Sequence, residues 1–98
     1  MVSIHYLPPA ENDLNNIFDY ILKDSPERAG RFLDKIDKTI GRLSLFPLSG
    51  CLPKDPFLKR KKYRILLVAD YLVFYRFENR CVVIYRILHG KRRHYFLL

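Results

Sequence analysis

The chain predicts an α+β fold, with a helical hairpin packed on one face of a twisted antiparallel sheet. The element order is β-α-α-β-β-β, followed by a basic C-terminal segment. Two observations point there. In the first half, apolar residues recur at helical spacing. Beyond a loop rich in proline, the pattern changes to runs of Val, Ile, Tyr and Phe separated by short connections. The chain has 98 residues, 49% of them apolar and only 4 Gly, which excludes a disordered or collagen-like chain and predicts one domain over residues 1–98.

Residues 2–7 form the first strand, with Val2, Ile4 and Tyr6 alternating with Ser3 and His5. Pro8 and Pro9 end it, and Pro9 suits the first turn of a helix. Leu14, Ile17, Phe18, Ile21 and Leu22 then make an apolar stripe on a helix over about 9–23. Asn12, Asp13, Asn15, Asn16 and Asp19 are expected on the opposite side, with Glu11 and Asp13 favouring the helix dipole. Ser25 is the N-cap and Pro26 the first residue of a second helix, whose Ala29, Phe32, Leu33, Ile36, Ile40 and Leu43 keep the spacing to about residue 45. Three prolines and Gly50 make 46–56 a loop. Strands follow at 63–68, 71–77 and 80–88, joined by Ala69-Asp70 and Glu78-Asn79.

Two-residue hairpins at both connections fix the facing of each side chain. One face then holds Arg64, Leu66, Val68, Tyr71, Val73, Tyr75, Phe77, Arg80, Val82, Ile84, Arg86 and Leu88. The other holds Tyr63, Ile65, Leu67, Leu72, Phe74, Arg76, Cys81, Val83, Tyr85 and Ile87. Both are largely apolar, yet one helical hairpin covers one face only. The second would leave roughly several hundred Å² of apolar surface in water, which monomers rarely tolerate. A partner segment is therefore expected there. A second copy, or residues 95–98 folding back, are the alternatives.

The charge is +8 overall and unevenly placed: residues 1–57 carry 7 Lys/Arg and 8 Asp/Glu, and residues 58–98 carry 11 and 2. It peaks at residues 59–62 and 91–93. A basic surface that meets phosphate or an acidic protein, or simply two solvated loops, is consistent with this. The two cysteines, Cys51 and Cys81, form neither a metal set nor a disulfide framework and read as free thiols in a reducing compartment. There is no signal-type N-terminus and no apolar run near the roughly 20 residues that span a bilayer. A soluble, cytoplasmic protein without membrane contact is expected.

No P-loop, dinucleotide fingerprint, metal spacing or Ser/His/Asp nucleophile arrangement is present, and no metal or cofactor is expected. His89, Lys91, Arg92, Arg93, His94 and Tyr95, with Arg64, Arg76 and Arg86 on strands, are what remains. Such residues can cut RNA without metal. A base takes the 2′-OH proton, cations stabilise the charged phosphorane, and an acid protonates the leaving oxygen. They serve equally well as plain binding groups.

Across nearly the whole chain the sequence resembles the RelE/ParE superfamily, the toxins of type II toxin–antitoxin modules. The resemblance rests on Asp13-Leu14, Ile17 and Tyr20-Ile21, then on Ser25-Pro26, Ala29, Phe32, Phe46-Pro47 and Gly50. It continues through Leu58-Lys59, Tyr63-Arg64 and the run Tyr71-Leu72-Val73-Phe74-Tyr75-Arg76 to Tyr85-Arg86-Ile87-Leu88-His89-Gly90-Lys91-Arg92. It implies a toxin of a plasmid-stabilising module, held by an antitoxin that wraps it.

The superfamily implies two activities. ParE-like members inhibit DNA gyrase; RelE-like members cut mRNA in the ribosome. The arginine that RelE-like enzymes carry after the strand tyrosine is matched here by Leu72, which favours the ParE branch. The expected target-binding residues are Arg76, Arg86, His89, Lys91, Arg92 and Arg93, and the expected antitoxin-binding residues are Ile65, Leu67, Leu72, Phe74, Val83 and Tyr85. On the alternative reading, a ribosome-dependent endoribonuclease, Arg64, Lys91 and Arg92 hold phosphate while His94 or Tyr95 moves protons. A bare regulatory binding module is the third possibility.

Overall fold

The computed structural model describes residues 1–90 and Leu98. Strand β1 (Ser3–Tyr6) leads into helix α1 (Pro8–Asp24), and helix α2 (Pro26–Gly41) ends in a 3₁₀ turn over Arg42–Ser44. A short helix α3 (Pro56–Arg60) precedes strands β2 (Arg64–Val68), β3 (Tyr71–Glu78) and β4 (Cys81–His89). The four strands are ordered β1-β4-β3-β2. The sheet is antiparallel except at one edge, where β1 runs parallel to β4.

Local chemistry explains the elements. Ser25 caps α2 by accepting the Arg28 N–H at 3.2 Å, and Pro26 starts the helix. The stripe on α2 buries Ala29, Phe32, Ile36 and Ile40, each large apolar side chain stabilising by about 1.5–3 kcal/mol. On α1, Ile21 is buried and Leu14, Ile17 and Phe18 pack against the same core, whereas Leu22 is exposed. The helices cover the face that presents Val68, Val73, Tyr75, Val82 and Ile84.

Helix α3 lies partly inside the stretch expected to be loop. Asp55 caps it by accepting the Leu58 N–H at 3.1 Å, and Pro56 is its first residue. Lys62, at φ 64°, closes it with Tyr63 N–H on the Leu58 carbonyl at 3.1 Å, a Schellman stop. This places Leu58 and Tyr63 on the second face, where they form a smaller core with Phe74 and Leu88, flanked by Ile65, Leu72, Tyr85 and Leu98. The second face is therefore partly covered from within the chain.

The hairpins correct two expectations. The turn between β3 and β4 is Asn79-Arg80, one residue later than expected, and pairs Glu78 with Cys81. Both turn residues have positive φ, 51° and 60°, the type I′ geometry that favours Gly at the second position. Arg80→Gly removes that strain and is expected to raise stability by about 0.5–1 kcal/mol, read as a higher urea midpoint.

The second correction is a β-bulge. Tyr75 pairs with Ile84 but Phe74 pairs with Arg86, which leaves Tyr85 as an extra residue. Arg86 stays on the helix side, on Asp13, and the side chains change face from Ile87 on. Ile87 joins the helix-covered core and Leu88 joins the second cluster, the reverse of the simple alternation.

Candidate partner-binding surfaces

The helix-free face carries five of the six expected antitoxin contacts in accessible form. Ile65, Leu72, Val83 and Tyr85 are half-buried and Leu67 is 69% exposed. Phe74 lies on this face but is 1% exposed, beneath the layer supplied by Leu58 and Leu88, so it forms a floor rather than a contact.

Beside them sits a polar centre. The Arg76 guanidinium lies 5.8 Å from the Tyr63 ring centroid and 5.7 Å from that of Tyr85, and it pairs with Glu78 at 3.2 Å. The two tyrosine rings meet edge-on at 5.1 Å. Tyr85 donates its hydroxyl to Glu78 at 3.0 Å, and Tyr63 donates to the Leu98 carbonyl at 3.2 Å. Burial pushes both phenols up from their ordinary value, and for Tyr85 the bond to Glu78 adds to it. Neither phenol therefore ionises readily near neutral pH.

The remaining strand arginines have internal partners. Arg64 donates from one nitrogen to the Leu48 carbonyl at 3.0 Å and the Gly50 carbonyl at 3.1 Å. Arg86 grips Asp13 on α1 with two bonds, 2.7 and 2.8 Å, and Asp13 also accepts the Ile87 N–H at 3.0 Å. Both side chains of that pair are largely buried, at 19% and 12% exposure. Asp13 therefore faces the sheet, not solvent as expected, and the bond to it holds Arg86 above the ordinary arginine value.

His89 stacks edge-on against Tyr71 at 5.3 Å, and Tyr71 against Phe32 at 5.4 Å. It lines an open groove of about 1070 Å³ between the hairpin and the end of the sheet. The groove wall includes Arg28, paired with Asp24 at the end of α1, and Arg31, paired along α2 with Glu27 at 2.9 Å.

The expected site residues thus divide. Arg76 is on the helix-free face, His89 on the helix side, Arg86 in the clamp to α1 and Arg64 under the 46–50 loop. Lys91, Arg92, Arg93, His94 and Tyr95 lie outside the described residues. Among the described residues no cluster of three His, Cys, Asp or Glu forms a metal site, and no helix is long and apolar enough to cross a membrane. Cys51 and Cys81 are free thiols. Sequence reasoning missed Glu78 and Asp13 as partners. The one available signal was an acid beside each apolar run with a basic residue at a matching place in the fold.

The comparisons agree with this architecture. A family model described as the ParE toxin of the type II toxin–antitoxin system parDE matches residues 4–94. Among solved structures, the chromosomal ParDE toxin–antitoxin system from P. aeruginosa superposes with a TM-score of 0.73 at 22% identity, covering 93% of this chain and 98% of that one. The RelBE2 toxin–antitoxin complex from Mycobacterium tuberculosis gives 0.61 at 20% identity, covering 90% and 96%. No curated protein matches. At these identities the superpositions establish the fold, and the family model, spanning nearly the whole sequence, establishes membership: the chain belongs to the ParE toxin family of type II toxin–antitoxin systems.

Proposed function

We propose that the protein arrests growth by binding and inhibiting DNA gyrase, and that a cognate antitoxin neutralises it by covering the helix-free sheet face. The observation that carries this reading is the internal use of the strand arginines. A phosphate-cleaving site needs cations aimed at the developing phosphorane charge. Arg64 is held by two backbone carbonyls, Arg86 by Asp13, and Arg76 is matched by Glu78. Among the described residues that leaves a surface suited to binding rather than bond chemistry, as the ParE family implies.

The antitoxin seat is formed by Ile65, Leu67, Leu72, Val83 and Tyr85 around buried Phe74. The similar ParDE and RelBE2 structures are toxin–antitoxin assemblies, which supports a protein partner of this kind. Arg76, His89 and the basic segment Lys91-Arg92-Arg93 are the proposed target contacts, and the cytoplasm is the proposed compartment.

Induction in cells tests the reading. Relaxed plasmid DNA, an SOS response and intact mRNA are expected. Cleaved mRNA with normal supercoiling would overturn it in favour of the ribonuclease.

A further inference from the structure

The segment between the 3₁₀ turn and α3 departs from the composition of an ordinary surface loop. Leu45, Phe46 and Leu52 are each 62% exposed and Leu48 is 56% exposed, and Phe57 at the start of α3 is 39% exposed. The loop starts beside β1, where Val2 donates its N–H to the Ser44 carbonyl at 2.9 Å, and crosses to the outer edge of β2, where Cys51 and Ile65 exchange backbone bonds at 2.8 and 2.9 Å and exposed Leu67 follows two residues later. Exposed apolar residues scattered singly mean little, but Leu45, Phe46, Leu48 and Leu52 exposed within one eight-residue stretch of loop mark a contact surface.

The loop is held firmly from below. Buried Tyr75 donates its hydroxyl to the Pro47 carbonyl and accepts the Gly50 N–H, both at 2.9 Å. Arg64 takes the Leu48 and Gly50 carbonyls. With its backbone fixed to the sheet, the loop presents its apolar side chains outward at little further ordering cost on binding.

Its rim is basic. Lys59, Arg60, Lys61 and Lys62 are all exposed, and Lys61 reaches over the Phe57 ring at 5.8 Å, which joins the basic cluster to the apolar patch. The nearby acid, Asp55, is engaged as the cap of α3.

We propose that this loop, with Leu67 and the Lys59–Lys62 cluster, is a further surface through which the toxin grips its protein target, in addition to Arg76, His89 and the basic segment, and that the target's matching surface is acidic with apolar side chains at its centre. Charge complementarity selects an acidic partner. Four of the six exposed apolar side chains, Leu45, Leu48, Leu52 and Leu67, are aliphatic, which favours a protein over stacked bases even with Phe46 and Phe57 beside them. The surface lies outside the antitoxin seat except at Leu67. The proposal rests on the reading of the chain as a growth-arresting toxin and names a further element that holds the target.

The test compares the full chain with a variant carrying Leu45→Ser, Phe46→Ser and Leu52→Ser, positions exposed enough that the melting temperature is expected to stay unchanged. Purified DNA gyrase is the probe, with growth arrest and antitoxin capture measured in parallel. Gyrase binding weakened by about tenfold or more, with antitoxin capture intact, is expected. A second variant, Lys59→Glu with Lys61→Glu, is expected to slow association and flatten its salt dependence.

Undiminished gyrase binding by the triple variant would overturn the proposal while leaving the gyrase reading standing. If the wild-type chain does not bind gyrase, that reading fails, and growth arrest decides the loop's role. Arrest lost at unchanged melting temperature supports it; arrest retained overturns it. Loss of antitoxin capture with arrest retained, or loss of RNA binding in place of protein binding, would also overturn it.

Discussion

Asp13→Ala is expected to lower the unfolding free energy by about 2–4 kcal/mol, a cost that a surface substitution on α1 would not carry. Its carboxylate accepts from Arg86 Nε, from Arg86 Nη2 and from the Ile87 N–H. Removing it leaves a guanidinium only 19% exposed without an anion and a strand N–H without its acceptor. Breaking one side of a buried pair is costly because the other charge stays desolvated. The effect has a place as well as a size. The clamp sits where the bulge at Tyr85 turns Ile87 toward the helices and Leu88 toward the second face. Hydrogen exchange at the Ile87 amide is therefore expected to quicken more than exchange at Val82 or Ile84. Equal protection of Ile87 in the variant would count against the clamp.

Gly50→Ala is expected to cost about 2–4 kcal/mol by a different route, overpacking together with lost hydrogen bonds. A Cβ at residue 50 would lie 2.5 Å from the Tyr75 hydroxyl and 2.6 Å from ring carbon Cε1. Tyr75 is 0% exposed, so the ring cannot retreat and the loop must move. Tyr75→Phe alone removes the hydroxyl that serves Pro47 and Gly50 and is expected to cost about 1–2 kcal/mol. The double variant separates the causes. Cε1 remains in the way after the hydroxyl is gone, so most of the Gly50→Ala penalty should persist in the Tyr75→Phe background, read by urea unfolding. Full relief there would show that the hydroxyl alone is in conflict.

These two sites mark what the sequence carried and what it did not. The helices were legible because Leu14–Ile21 and Ala29–Ile40 repeat at a period set by the helix itself, and Ser25-Pro26 announces a start without reference to anything distant. The strands were legible by composition. The bulge was not, because Tyr85 looks like any other apolar-run residue, and the extra position exists only in relation to β3 and to Asp13, 74 residues away from Ile87. Helix α3 hid among prolines, although Asp55-Pro56 repeats the logic of Ser25-Pro26. Arg64 and Arg86 looked like binding groups because a cation's partner is invisible in sequence when it is a backbone carbonyl or an acid on a remote helix. The uncovered face was right in kind and overstated in extent, since Leu58, Tyr63 and Leu98 come from outside the strands to cover part of it.

Purified toxin titrated into a gyrase supercoiling reaction on relaxed plasmid tests the central claim most directly. The account predicts loss of supercoiling at near-stoichiometric toxin, with RNA added to the same reaction left intact and activity restored by the antitoxin. Full supercoiling at a large molar excess of folded toxin would contradict it.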